Sequence, residues 1–187
     1  MTRGRADLEA SLDALLDRPD ERTELEAAIE ADFGRDCAVL VLDMSGFARE
    51  TQLRGIVAYL ATLRELRRVA TPAVDGRGGA VVKAEADNLY CVFERVPDAI
   101  DAGREIMASH GAAGIGIGYG RVLDVGDDVW GNEVNLASKL GEDLAVAGEI
   151  LLTEAAFDRV ELAGEERRAS ISGLELRYFA LTAPEPG

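Results

Sequence analysis

Six apolar residues followed by an acid, Cys37-Ala-Val-Leu-Val-Leu-Asp43, dictate the centre of the fold. Apolar character without alternation over that length reads as a strand covered on both faces. Such a strand needs layers above and below it. The 187 residues, 48% of them hydrophobic, suffice for one domain with that core and are too few for two.

The remaining pattern supplies those layers. After Met44-Ser-Gly-Phe47 turns the chain, Ile56, Val57, Leu60, Leu63, Leu66, Val69 and Ala70 mark one face of a helix predicted from Arg54 to about Thr71, with Pro72 ending it. Asp75-Gly-Arg-Gly-Gly79 is turn chemistry, and residues 80–93 read as a hairpin with its tight turn near 85–88. A helix from Pro97 to about Ser109, a strand from Ala113 to Val125, a helix from Asn132 to Ala147 and a strand over 149–153 follow. A short helix near 154–160 and strands near 167–172 and 175–182 close the domain. Antiparallel pairs interleaved with helices predict an α+β or mixed α/β architecture. Ahead of it, Leu8, Leu12, Leu15 and Leu16, then Leu25, Ile29 and Phe33 after an Asp20 cap, predict two short amphipathic helices. Their stripes must bury against the domain, a second copy of the chain or a regulatory partner protein. The expected division is a helical arm over 1–35, a domain over 36–182 and a tail over 183–187.

Charge narrows the function. Lys and Arg number 20 against 35 Asp and Glu, a net charge of −15, and no basic run exceeds two residues, which argues against a nucleic-acid or anionic-membrane partner. The first 36 residues hold 11 of the acids and 5 Arg, about two-fifths of the net charge. The opening residues are charged where a signal peptide needs an apolar core, and no run approaches the roughly 18 apolar residues of a membrane span, so a cytoplasmic protein is expected. Cys37 and Cys91 sit in apolar runs with no metal-ligand spacing and read as buried thiols. Glycines 114, 116, 118 and 120 alternate in strand period with no helix directly after them, so close packing explains them better than a dinucleotide cradle.

A few polar residues stand out. Asp43 ends the buried strand before a Gly-containing turn, and Asp87 lies at the tip of the predicted hairpin. If the hairpin pairs beside the first strand, the two carboxylates meet at one edge, as a two-metal phosphoryl-transfer site requires. Equally, a strand-terminal Asp caps helices and an acid in a hairpin turn is commonplace. Of the 20 basic residues only Lys83 and Lys139 are lysine, a bias that singles out two places for a compact ammonium.

Three strings, Leu42-Asp43-Met-Ser-Gly46-Phe47, Val82-Lys83-Ala-Glu-Ala-Asp87 and Asp128-Val-Trp-Gly-Asn-Glu-Val-Asn135-Leu-Ala-Ser-Lys139-Leu140, resemble in order the motifs of class III adenylyl and guanylyl cyclase catalytic domains. The resemblance covers roughly residues 36–182. It implies a ferredoxin-like α/β sandwich that makes 3′,5′-cyclic AMP and pyrophosphate from ATP, with two divalent ions, Mg2+ or Mn2+, and a homodimer carrying two equivalent sites. By the same resemblance Asp43 and Asp87 bind the metals, Lys83 and Asp128 read adenine, Gly46 and Phe47 line the substrate, Asn135 orients the ribose and Lys139 stabilises the pentavalent phosphate. His110, the only histidine, has no part in it.

The chain departs from that pattern in four places. Lys139 replaces the usual Arg, Ala86 replaces the Gly before the metal acid, only seven residues separate Gly120 from Asp128, and the late phosphate-binding Lys has no counterpart near Ser170-Ile-Ser-Gly173. Arg167, Arg168 and Arg177 are the cations nearest to that place in sequence. A cyclase-like nucleotide-binding or regulatory module with little turnover is the alternative reading.

Overall fold

The computed structural model describes residues 4–44, 47–109, 113–171 and 173–181. The arm forms α1 (Arg5–Asp17), a 3-10 turn at Pro19–Glu21 and α2 (Arg22–Phe33), leading directly into β1 (Gly34–Met44). Then follow α3 (Phe47–Arg54), α4 (Ile56–Asp75), β2 (Ala80–Glu85), β3 (Asn88–Phe93), α5 (Val96–Ser109), β4 (Ala113–Asp124) and β5 (Val129–Trp130). The chain continues through α6 (Asn132–Ser138), a π-helical turn at Lys139–Leu144, β6 (Ile150–Thr153), α7 (Glu154–Phe157), β7 (Gly164–Ile171) and β8 (Leu174–Leu181).

One mixed sheet runs in the order β2-β3-β1-β4-β6-β8-β7, with β5 paired to β4 off that path. β1 is flanked by β3 and β4, both antiparallel; β4 and β6 are parallel. The apolar run over 37–42 is therefore central, and its side chains divide by parity. Ala38, Leu40 and Leu42 pack with Leu63, Leu66 and Ala70 of α4 and with Ile100 and Ile106 of α5. Cys37, Val39 and Val41 pack on the other face with Val134 and Ala137 of α6. Asp43 continues the odd parity at the strand's end. Cys37 and Cys91 are both free and buried, and burial raises both thiols.

The glycine string places α6. A Cβ on Gly116 would stand 2.0 Å from the Ala137 carbonyl oxygen, and one on Gly118 would stand 2.6 Å from that of Glu133. Only bare backbone on this face of β4 lets the helix lie so close, as the close-packing reading expects.

Several boundaries differ from the expectations. Pro72 lies inside α4, which runs on to Asp75, because Ala73 and Val74 are buried and add core contact to the extra turn. The segment after Phe47 is a separate helix, α3, divided from α4 by Gly55 at φ +82°. The helix expected to reach Ala147 changes at Lys139 to a π-turn, closed by the Ala145 amide on the Leu140 carbonyl at 2.7 Å. Asp20 does not cap α2: Pro19 starts the 3-10 turn, Asp20 lies within it, and Glu21 takes the N-cap position without a side-chain bond.

The arm docks on its own domain. Leu8, Ile29 and Phe33 are buried with Val125, and Leu15 and Leu123 pack against them, while Leu12 and Leu16 stay exposed. The tail at 183–187 and His110 lie outside the described residues. No helix among the described residues is long and apolar enough to cross a membrane.

Candidate active site

The β2–β3 hairpin brings the two acids together. Asp43 is in register with Asn88, so Asp87, in the two-residue turn just before it, lies at the same end of the sheet. The turn holds Ala86 at φ +49°, the one non-glycine residue with positive φ among the described residues. That is the place where the resemblance expects Gly, so the chain keeps the turn and accepts the strain of a Cβ. Arg67 supports it by donating to the Ala86 carbonyl at 2.9 Å, and the Tyr59 hydroxyl faces Asp87 at 3.4 Å. Burial, then the negative charges of Asp87, Glu142 and Asp143, push the Asp43 carboxyl up to about 6.

Glu142 and Asp143 come from the π-turn. Asn88 Nδ2 and the Tyr90 hydroxyl donate to Glu142 Oε1 at 2.9 and 3.2 Å, tying that turn to the hairpin. Lys139 Nζ donates to Asp143 at 2.8 Å, an i,i+4 pair on the exposed side of the helix, and that partner raises its pKa. Asn135 lies four residues before Lys139 and is also exposed. The two project from one helical face. Phe47 opens α3, and Gly46 lies outside the described residues.

The second corner forms where β2 meets the β4–β5 turn. Lys83 Nζ lies 3.6 Å from Asp128 Oδ2 and 2.9 Å from Glu85 Oε2, above the Tyr90 ring at 5.5 Å. Asp128 is held in a tight turn, with the Val125 amide on its carbonyl at 3.1 Å and the Val129 amide on its Oδ1 at 2.9 Å. Arg5, the first residue of α1, donates to Asp128 Oδ2 at 2.9 Å and lies over the Trp130 ring at 5.4 Å. Burial resists ionisation of Asp128, but the Val129 amide, Arg5 and Lys83 outweigh it and hold the carboxyl below its usual value. Beside Arg5 a mostly apolar recess of about 340 Å³ is lined by Leu8, Leu12, Leu123 and Trp130.

Thus Asp43 and Asp87 share one corner, Lys83 and Asp128 share another, and Asn135 and Lys139 share a helix face. Arg167, Arg168 and Arg177 all pair with glutamates around the β7–β8 hairpin, at the opposite edge of the sheet from β2. Tyr59, Glu142, Asp143 and Arg5 were not among the sequence candidates. The spacing of Asp143 four residues after Lys139 was a usable signal; nothing local marks Arg5.

Among the described residues no three acid, His or Cys side chains cluster as a metal cage. The donors present nonetheless suit a divalent ion of the Mg2+ type. Such ions take one or two carboxylates and complete their shell with substrate phosphates and water. The like-charge pressure on Asp43 is what a bound cation would relieve.

No family model matches the chain. An uncharacterized protein of Mycobacterium tuberculosis is 30% identical over 121 residues, 62% of this chain but 32% of that protein, so the chain spans about a third of its length. Solved structures are more informative. An adenylate/guanylate cyclase/hydrolase from Silicibacter pomeroyi superposes with a TM-score of 0.70 at 23% identity, covering 81% of this chain and 98% of that one. The catalytic core of a rhodopsin-guanylyl cyclase with converted specificity, solved with ATPαS, gives 0.70 at 18% identity over 80% and 98%. The chain therefore has the fold of adenylyl and guanylyl cyclase catalytic domains, as its three motifs led us to expect.

Proposed function

We propose that this chain is a nucleotidyl cyclase domain that converts ATP to 3′,5′-cyclic AMP and pyrophosphate. The observation that carries the reading is the 3.6 Å approach of Lys83 to Asp128 beside a hairpin whose turn places Asp87 next to Asp43. A donor and an acceptor side by side complement adenine's ring N1 and its 6-amino group. The ribose 3′-hydroxyl gives up its proton to solvent as its oxygen attacks the α-phosphorus, the bond from that phosphorus to the bridging oxygen breaks, and pyrophosphate leaves with the electron pair. Two divalent ions, held by Asp43 and Asp87, would supply charge neutralisation on the phosphates. Asn135 would orient the ribose, and Lys139 would meet the negative charge that grows on the transferring phosphate.

A homodimer fits this chemistry, since each copy then lends its metal corner to the other's base corner. Ile56, Val57 and Leu60 of α4 are exposed next to Tyr59, which faces Asp87, and give a second copy an apolar surface beside the site. One observation favours the weaker alternative, a nucleotide-binding module with little turnover: the Lys139 ammonium is already engaged by Asp143. Turnover of the purified chain with ATP, GTP, CTP and UTP, in Mn2+ and then Mg2+, separates the two. Cyclic AMP whose specific rate rises with protein concentration is expected. Nucleotide binding without any cyclic product would leave the module, and a different cyclic nucleotide would overturn the roles of Lys83 and Asp128.

A further inference from the structure

Resting on the cyclase reading, we propose that Arg5 is a latch on the base-reading corner: its guanidinium occupies Asp128 when no nucleotide is bound and must leave before a nucleobase enters. Three observations carry this. The Asp128 side chain is only 9% exposed, and both its oxygens are engaged, Oδ1 by the Val129 amide and Oδ2 by Arg5. The group that should accept a hydrogen bond from the base is thus covered by a cation of the same chain. Arg5 itself is 44% exposed and adjoins a second carboxylate, Asp127, at 3.7 Å, so it can withdraw while Leu8 keeps α1 anchored. The exchange is balanced: a buried carboxylate needs a partner, and Lys83 with a base amino group can replace Arg5.

The latch makes a prediction opposite in sign to ordinary electrostatics. Removing a cation from a chain of charge −15 should weaken binding of an anionic nucleotide, whereas removing a latch should strengthen it. Affinity falls by the fraction of molecules that are competent, and freeing Asp128 restores that fraction.

The test uses the full chain as wild type, Arg5→Ala and Arg5→Lys, with 3′-deoxy-ATP and Mn2+, a ligand that lacks the attacking hydroxyl. Arg5→Ala is expected to bind roughly tenfold tighter than wild type, with Arg5→Lys between them. Inorganic tripolyphosphate, which has no base, should bind Arg5→Ala no tighter. Trp130, the chain's only tryptophan, gives a second readout. Nucleotide should move its wild-type emission toward that of ligand-free Arg5→Ala. If wild type turns over ATP but Arg5→Ala binds 3′-deoxy-ATP equally or more weakly, the latch is wrong and the cyclase reading stands. If no variant binds the nucleotide or turns over ATP, the cyclase reading fails and the latch falls with it.

Discussion

The two charged corners of this domain are opposites. At the end of β1, Asp43 is half-buried and feels the negative charges of Asp87, Glu142 and Asp143, and burial first, then those charges, pushes it up to about 6. At the β4–β5 turn, Asp128 is paired with Arg5 and Lys83 and held below its usual value. The first corner is short of positive charge, with Lys139 spent on Asp143. The second is satisfied from within. A carboxylate's readiness for a ligand depends on what already satisfies it, so the first corner is primed for a cation while the second must give one up.

The contrast is broken most severely by removing an acid from the first corner. Asp43→Ala should cut metal-dependent cyclic AMP formation by roughly a thousandfold, the several kcal/mol that metal-held charge stabilisation supplies, with the circular dichroism spectrum unchanged. Retained turnover would break the metal assignment. Lys83→Ala should lower kcat/KM for ATP by about tenfold to a hundredfold and leave that for GTP nearly unaltered, because it removes one charged hydrogen bond to one base. Equal losses for both nucleotides would show that Lys83 meets the phosphates instead. Lys139→Arg should raise kcat severalfold, since a planar fork can hold Asp143 and a phosphate oxygen together. A loss would show a site built around the shorter cation.

The smallest effect is on stability, and its sign differs from that of the loss in activity. Asp43 titrates near 6 in the fold against 3.8 when unperturbed, so between those values the native state binds more protons than the unfolded one. Its contribution is therefore present below about pH 4 and is lost as pH rises through about 6. Asp43→Asn should stabilise the metal-free chain at pH 7 by about 1 kcal/mol once solvent screening is allowed for, or roughly 2–4 °C in Tm. It should also flatten the pH dependence of Tm over that window. A lower Tm would mean that burying the ionised Asp43 near other acids does not cost the fold stability.

Much of this was legible from sequence because the fold's centre is written in local patterns. The run over 37–42 identified a doubly covered strand, and the glycine string identified a face with no room for side chains. The string from Asp128 to Leu140 is specific partly because packing dictates some of it. Val134 and Ala137 bury under the sheet, which leaves Asn135 and Lys139 facing out. What escaped was non-local. Pro72 usually ends a helix, but Ala73 and Val74 fit the core and override it. Arg5 and Asp128 are 123 residues apart, and no spacing rule links an arm to a turn. Tyr59 and Glu142 gain meaning only once α4 and the π-turn converge on the hairpin.

The central claim, that the metal corner of one copy serves one reaction with the base corner and ribose-orienting Asn135 of the other, is tested most directly by mixing variants. Asp43→Ala and Asn135→Ala should each be inactive alone. Mixed in equal amounts and allowed to exchange, half the dimers are hybrids and each hybrid holds one intact site, so about a quarter of wild-type turnover should return. A mixture as inactive as its components, beside an active wild type, would contradict the shared site.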